Sequence, residues 1–244
     1  MTRPDHPVAL VTGASGGLGQ ALAVELDQLG CRVAVHYNSS EAPALAIQSK
    51  LENDSVVVGG DIASWDVVQQ MHAGIADALG PVDVLVNNAA IRKDALLAMQ
   101  SPDDWRRVIE INLLGTFHTA RATVPGMLRK RWGRVINVVS PSGLIATAGQ
   151  TAYGASKAGV IGLTKTLAAE CGRRGVTVNA LSPGFMETAM TEGASPKFKD
   201  RMRETLPVPR FTTPDEVARA IGVFLDNDYV TGQVLSVDGG VSIL

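Results

Sequence analysis

Short apolar runs alternate with amphipathic stretches of helical period along most of this chain, and that alternation narrows the fold more than any other feature. Runs at Val8 to Thr12, Arg32 to Tyr37, Ser55 to Gly59, Val82 to Asn87, Gly133 to Ser140, Val176 to Ser182 and Val234 to Val237 read as seven strands. Helical patterns between them cover Gly17 to Leu29, Ala42 to Glu52, Trp65 to Leu79, Asp103 to Arg131, Thr151 to Arg174 and Pro214 to Leu225. Strands separated by helices imply parallel pairing through crossovers, and so an α/β, doubly wound, mostly parallel sheet flanked by helices. Ser101-Pro-Asp-Asp and Thr213-Pro-Asp-Glu each offer a cap, a proline in the first turn and acids where the helix dipole favours them. The alternation breaks at residues 185–211. Prolines at 196, 207 and 209 and scattered Met and Phe suit small helices lying as a lid over the carboxyl edge of the sheet. No repeat or linker composition appears, so residues 1–244 are expected to form a single domain.

Composition excludes several function classes. Twenty-two basic against 24 acidic residues leave a net charge of −2, which gives no global signal for nucleic acid or an anionic membrane. The opening residues are polar, without a secretory apolar core, and no apolar stretch approaches the ~18 residues of a membrane span. A cytoplasmic protein with neither a membrane nor a nucleic-acid partner is expected. Cys31 and Cys171 lie in apolar contexts and read as reduced core residues. His6, His36, His72 and His118 share no ligand spacing, so no metal is expected, and His118 reads as a packed or hydrogen-bonded residue.

The first strand runs directly into Thr12-Gly-Ala-Ser-Gly-Gly-Leu-Gly19, where a helix begins. Glycines let a backbone turn tightly and approach a diphosphate, whose charge then meets the unpaired amides of the helix N-terminus. Gly13, Ser15, Gly16, Gly17, Leu18 and Gly19 are therefore candidates to bind a dinucleotide in a Rossmann-type sheet. An acid at the end of the second strand would hold the adenosine ribose hydroxyls and repel a 2′-phosphate. His36-Tyr37-Asn38-Ser39-Ser40 contains none before Glu41. That favours NADPH, held at Asn38, Ser39 and Ser40, with NADH as the alternative.

Tyr153 and Lys157 stand one helical turn apart in Tyr-Gly-Ala-Ser-Lys, and Ser140 closes the strand before them. A phenol titrates near ~10 and needs a neighbouring cation to exchange its proton near neutrality; positions i and i+4 put Cβ atoms roughly 5–6 Å apart. Reducing a carbonyl with a nicotinamide calls for a proton donor, a group that tunes it, and a second hydrogen bond to the substrate oxygen. Tyr153, Lys157 and Ser140 match those parts in that order.

Together these motifs resemble the short-chain dehydrogenase/reductase family: Thr12-Gly-x-x-x-Gly-x-Gly19, Asp61, Asn87-Asn-Ala-Ala90, Asn112, Ser140, Tyr153-x-x-x-Lys157 and Pro183-Gly184. The resemblance implies that Asp61 and Ile62 flank the adenine, while Asn88, Ala89 and Ala90 line the ribose and brace the central strands. It implies that Pro183, Gly184 and Thr188 bracket the nicotinamide, with Met186 beside them in the cofactor site. Asn112 would hold a water joining Lys157 to solvent. The family spacing selects Ser140 over Ser142 as the substrate-binding hydroxyl and leaves Ser142 to stabilise the turn. Two positions depart from the pattern: Ala90, where the family usually carries glycine, and Gly16, where many NADPH-preferring relatives carry Arg or Lys.

Within that family the chain is most similar to reductases of 3-oxoacyl groups carried by acyl carrier protein, notably over 82–90, 159–167, 176–180, 183–188 and 231–240. This implies NADPH-dependent reduction of a 3-oxoacyl thioester to the 3-hydroxyacyl product in fatty-acid, polyene or polyketide-type synthesis. It also implies a homotetramer, with the long fourth and fifth crossover helices pairing across one two-fold axis and the region 234–244 across another. Arg131 and Arg174 fall where such reductases bind their acidic carrier, and a basic surface near the active-site mouth is expected. A solvated basic helix end is the alternative reading of the same arginines. A coenzyme A thioester, a free ketone or alcohol, and a cofactor-sensing regulator without turnover remain open.

Overall fold

A computed structural model describes residues 3–186 and 196–243, and in it seven strands pair in the order β3-β2-β1-β4-β5-β6-β7. They are β1 (Val8–Val11), β2 (Arg32–Tyr37), β3 (Ser55–Gly59), β4 (Val84–Asn87), β5 (Gly133–Val138), β6 (Val176–Pro183) and β7 (Val234–Val237). Every pairing in this sheet is parallel, where the sequence pattern required only that most be. The chain walks outward from β1 to β3 and then returns to lay β4 against the free side of β1. Loops on the two sides of that reversal diverge, which makes the carboxyl ends of β1 and β4 the natural place for a ligand.

Both faces of the sheet are covered, which is why its strands are apolar without strict alternation. On one face Val11, Val33, Val35, Val86 and Ile136 pack with residues of α1 (Gly17–Gln28), α8 (Pro214–Ala218) and α9 (Ile221–Asp226). On the other, Leu10, Ala34, Leu85, Val135 and Val178 pack with α3 (Trp65–Leu79), α5 (Gly115–Lys130) and α6 (Thr151–Cys171). The remaining helices are α2 (Glu41–Gln48), α4 (Pro102–Ile109) and α7 (Pro196–Thr205). The last of these supplies a small helix in the segment read as a lid, of which residues 187–195 lie outside the described residues. Among the described residues no helix is long and apolar enough to cross a membrane.

Two helices differ from the sequence expectation. The stretch read as one helix from Asp103 to Arg131 holds a π-helical segment, Glu110–Leu114, between α4 and α5. Such a bulge admits an extra residue and re-aims its side chain, here Asn112. The stretch from Pro214 to Leu225 divides into α8 and α9, because the chain tightens there to i→i+3 bonds from Ala220 to Val217 and from Val223 to Ala220. Both anticipated caps form. Ser101 accepts from the amides of Asp103 and Asp104, and Thr213 and Glu216 make a reciprocal capping box.

Candidate active site

A cleft of about 400 Å³ opens at the carboxyl ends of β1 and β4, and the glycine-rich turn forms one wall of it. Gly13 has φ +64°, and a Cβ on it would lie 2.9 Å from the Ala89 Cα. A Cβ on Gly19 would lie 2.8 Å from the Ala14 Cα, so glycine is required at both positions. Gly16 is different. It is exposed, and a Cβ there would meet nothing closer than the Gly13 carbonyl at 3.6 Å. Behind the turn α1 begins with neither a side-chain cap nor an acid in its first turn, which leaves its amides to an anion.

The neighbouring strand ends hold this turn in place. The Thr12 hydroxyl accepts from the amides of Asn88 and Ala89, both at 3.0 Å. The Asn88 side chain donates to the carbonyls of Thr12 at 3.0 Å and Gly13 at 3.1 Å, so its amide braces the two strands. Asp61 accepts from the Ala63 amide at 2.9 Å and from Arg107 at 2.6 Å. Burial pushes the Asp61 carboxyl up, but the Arg107 guanidinium and the Ala63 amide outweigh it and hold the group below its ordinary range. His118 meets the Ile62 carbonyl at 3.0 Å, the bonded structural role expected of it.

Tyr153 and Lys157 share one face of α6 at the edge of the cleft, with the Lys157 ammonium 5.6 Å from the Tyr153 ring centroid. Lys157 is buried and donates to the Val138 carbonyl at 2.8 Å; desolvation lowers its pKa to about 8. Burial raises the Tyr153 phenol above its ordinary range, while the Ser140 hydroxyl pulls the other way. The sequence suggested a phenol made acidic by its lysine. In the protein alone, burial disfavours the charged form of both groups and keeps the tyrosine protonated, the form a proton donor needs.

Ser140 lies just past the end of β5, and its oxygen accepts from the Ser142 amide at 3.2 Å. Ser142 donates to Gln150 at 2.7 Å, and Gln150 donates to Asp94 at 3.0 Å, so Ser142 belongs to the loop network as expected. Asn112 accepts from the Ile91 amide at 2.9 Å and donates to the Ile91 carbonyl at 3.0 Å and to Ser156 at 3.1 Å. Both hydrogens of its amide are thus engaged with protein, and its side chain fastens the π segment to the loop after β4 and to α6.

Every described residue named from sequence as cofactor-binding lines the cleft except Gly184. Gly184 lies beside a separate cavity, where a Cβ would come within 2.6 Å of the Asp238 Cα. It is therefore a glycine because it packs against the end of β7. Thr188 lies outside the described residues. Sequence reading missed His36 and Arg107. The signal for His36 was a polar residue inside an otherwise apolar strand, whereas Arg107 meets Asp61 through a contact 46 residues distant in sequence.

Arg131 and Arg174 are exposed, and neither makes an ion pair among the described residues. Gly133 and Val176 pair in register, so these arginines, each two residues earlier, precede neighbouring strands. They do so at the amino ends of β5 and β6. The length of α6 separates Arg174 from Tyr153, roughly 30 Å at 1.5 Å per residue. The basic surface expected near the active-site mouth is therefore at the other end of the chain's own sheet.

The sequence profile of the short chain dehydrogenase family matches residues 7–198. A 3-oxoacyl-acyl-carrier-protein reductase of Staphylococcus epidermidis is 42% identical over 239 residues, spanning 96% of this chain and 98% of its own. One of Synechocystis sp. is 42% identical over 248 residues, spanning 99% of each. Among solved structures, a gluconate 5-dehydrogenase from Burkholderia cenocepacia in complex with NADP and tartrate matches with a TM-score of 0.91 at 31% identity, covering 99% of this chain and 97% of that one.

Proposed function

Because this chain belongs to the short chain dehydrogenase family, we propose that it uses NADPH to reduce the 3-oxo group of an acyl thioester, carried by acyl carrier protein, to the 3-hydroxyacyl product. The observation that carries the chemistry is Tyr153 and Lys157 side by side on α6, lining the same cleft as the glycine-rich turn. That cleft suits a dinucleotide: its turn tolerates no Cβ at Gly13 or Gly19, and the first turn of α1 is uncapped. When bound, NADPH supplies hydride to the carbonyl carbon. Tyr153 donates its phenolic proton to the substrate oxygen, and Ser140 hydrogen-bonds the same oxygen to orient it. Lys157 stabilises the phenolate left behind while its own charge is retained. The 2′-phosphate falls to Asn38, Ser39 and Ser40, on the reading that no acid stands at the end of β2.

Arg131 and Arg174 are the residues we assign to the acidic carrier. Since Arg174 lies roughly 30 Å from its own Tyr153 at the far end of α6, and Arg131 precedes the neighbouring strand, on this reading they serve the site of a neighbouring subunit in a homotetramer. The protein is taken to work in the cytoplasm. The test is NADPH oxidation with one β-keto group presented on acyl carrier protein, on coenzyme A and as a free ketoester. The carrier-bound form should turn over with the lowest KM, and Tyr153→Phe should lower kcat about 10²–10⁴-fold. Equal rates on all three would remove the carrier assignment. No turnover on any would leave a cofactor-binding regulator.

A further inference from the structure

His36 is fully buried near the end of β2, a strand position where an aliphatic side chain would be ordinary, so its two ring nitrogens need partners. Both have one. The Gly13 amide donates to Nδ1 at 3.0 Å, and Nε2 lies 2.8 Å from the Gly60 carbonyl. A backbone amide can only donate and a carbonyl can only accept, so the partners dictate a neutral ring with its proton on Nε2. Burial pushes the imidazole below its ordinary value, and the opposing Gly60 bond and Asp61 carboxylate do not reverse this; His72, the other titratable group acting on it, pushes the same way as burial. The His36 main-chain carbonyl also accepts from the Ala14 amide at 2.8 Å. Two consecutive amides of the glycine-rich turn therefore end on one residue.

We propose that His36 is the positioning residue of the cofactor cleft: its Nδ1, kept an acceptor by the Nε2 bond to Gly60, holds the Gly13 amide and so fixes the glycine-rich turn beside the loop after β3. This rests on the NADPH reading above. Both segments line the cleft, and residues assigned to the diphosphate and to the adenine stand on them, Gly13 to Gly19 on one and Asp61 and Ile62 on the other. Past the last pairs, Val11 with Val35 and Tyr37 with Gly59, main-chain bonds still tie each segment to β2, from the Ala14 amide to the His36 carbonyl and from the Gly60 amide to the Tyr37 carbonyl at 3.0 Å. The imidazole adds a side-chain link between the two. The consequence falls on cofactor affinity, because the ring holds a turn that lines the cleft and touches no group assigned to proton transfer.

Three substitutions separate this role from simple packing. Asn at 36 carries an acceptor on Cγ, where Nδ1 is attached, and can keep the Gly13 bond. Gln places its polar atoms one bond further, toward Gly60, and cannot. Phe fills the space and bonds neither. With NADPH affinity read from the fluorescence of the bound nucleotide, His36→Asn should bind within about 3-fold of the unsubstituted protein, whereas His36→Gln and His36→Phe should bind at least about 10-fold more weakly. KM for NADPH should follow, with kcat changing by less than about 3-fold. Equal affinity of the Asn and Gln variants, or a folded Phe variant that binds as well as the parent, would overturn the proposal; if the Phe variant does not fold, the Asn and Gln pair decides. An unsubstituted protein that does not bind NADPH overturns the cofactor reading, and this inference with it.

Discussion

Gly16 shows how a single residue leaves room for a function it does not perform. Its neighbours Gly13 and Gly19 are fixed by close backbone approach, but Gly16 is exposed with ordinary φ, and a Cβ there meets nothing under 3.6 Å. A guanidinium could therefore be added at the cleft that Ser39 also lines without disturbing the turn, and a charged hydrogen bond to a 2′-phosphate is worth about 1.5–3 kcal/mol. Gly16→Arg should raise the NADPH to NADH ratio of kcat/KM by roughly 10-fold, measured with one substrate and both nucleotides; an unchanged ratio would place the phosphate elsewhere. Lys157 illustrates the opposite case, a residue kept at a cost to the fold. Its ammonium is buried, and its pKa falls from 10.5 to about 8. Below pH 8 the folded protein carries a desolvated charge. Between pH 8 and 10.5 the unfolded chain binds more protons than the folded one, so this group makes stability rise with pH. Lys157→Met should abolish reduction yet raise stability at pH 7 by about 1–3 kcal/mol, a gain that shrinks toward pH 10 in a denaturation series. For the parent enzyme, kcat/KM for reduction should fall as pH rises through about 8, where the free protein loses that charge.

At the level of elements, the segment from Pro102 to Lys130 shows where pattern reading stops. Its apolar period and Ser101 cap announced a helix, and a helix is there. The π segment inside it was not legible, because it depends on Asn112 finding both backbone groups of Ile91, a residue 21 positions earlier. A buried amide with three partners is costly to remove. Asn112→Ala should leave the Ile91 amide and carbonyl and the Ser156 hydroxyl short of partners, and lower stability by about 2–3 kcal/mol in urea unfolding. A loss under about 0.5 kcal/mol would mean that the bulge is set by the chain alone.

Taken whole, the molecule presents apolar side chains on the α4–α5 side that its own fold does not cover: Leu114 is 41% exposed, Phe117 47% and Met99 80%. A homotetramer that pairs these crossover helices would bury them. Phe117→Glu should then convert a tetramer seen by light scattering into smaller species, with the unfolding midpoint of the subunit shifted by only a few degrees. The sequence by itself determined the order of strands and helices along the chain, a mostly parallel sheet, the glycines of the turn and the Tyr153–Lys157 pair, because each follows from local periodicity or from spacing within one helix or turn. Tertiary structure alone decided the rest. It gave His36 and Arg107 their partners, turned Gly184 away from the cleft toward β7, and set Arg131 and Arg174 at the far end of α6 from Tyr153. Those facts depend on which strand ends become neighbours and on how far a helix carries its two ends apart, and neither distance is written in any short stretch of residues.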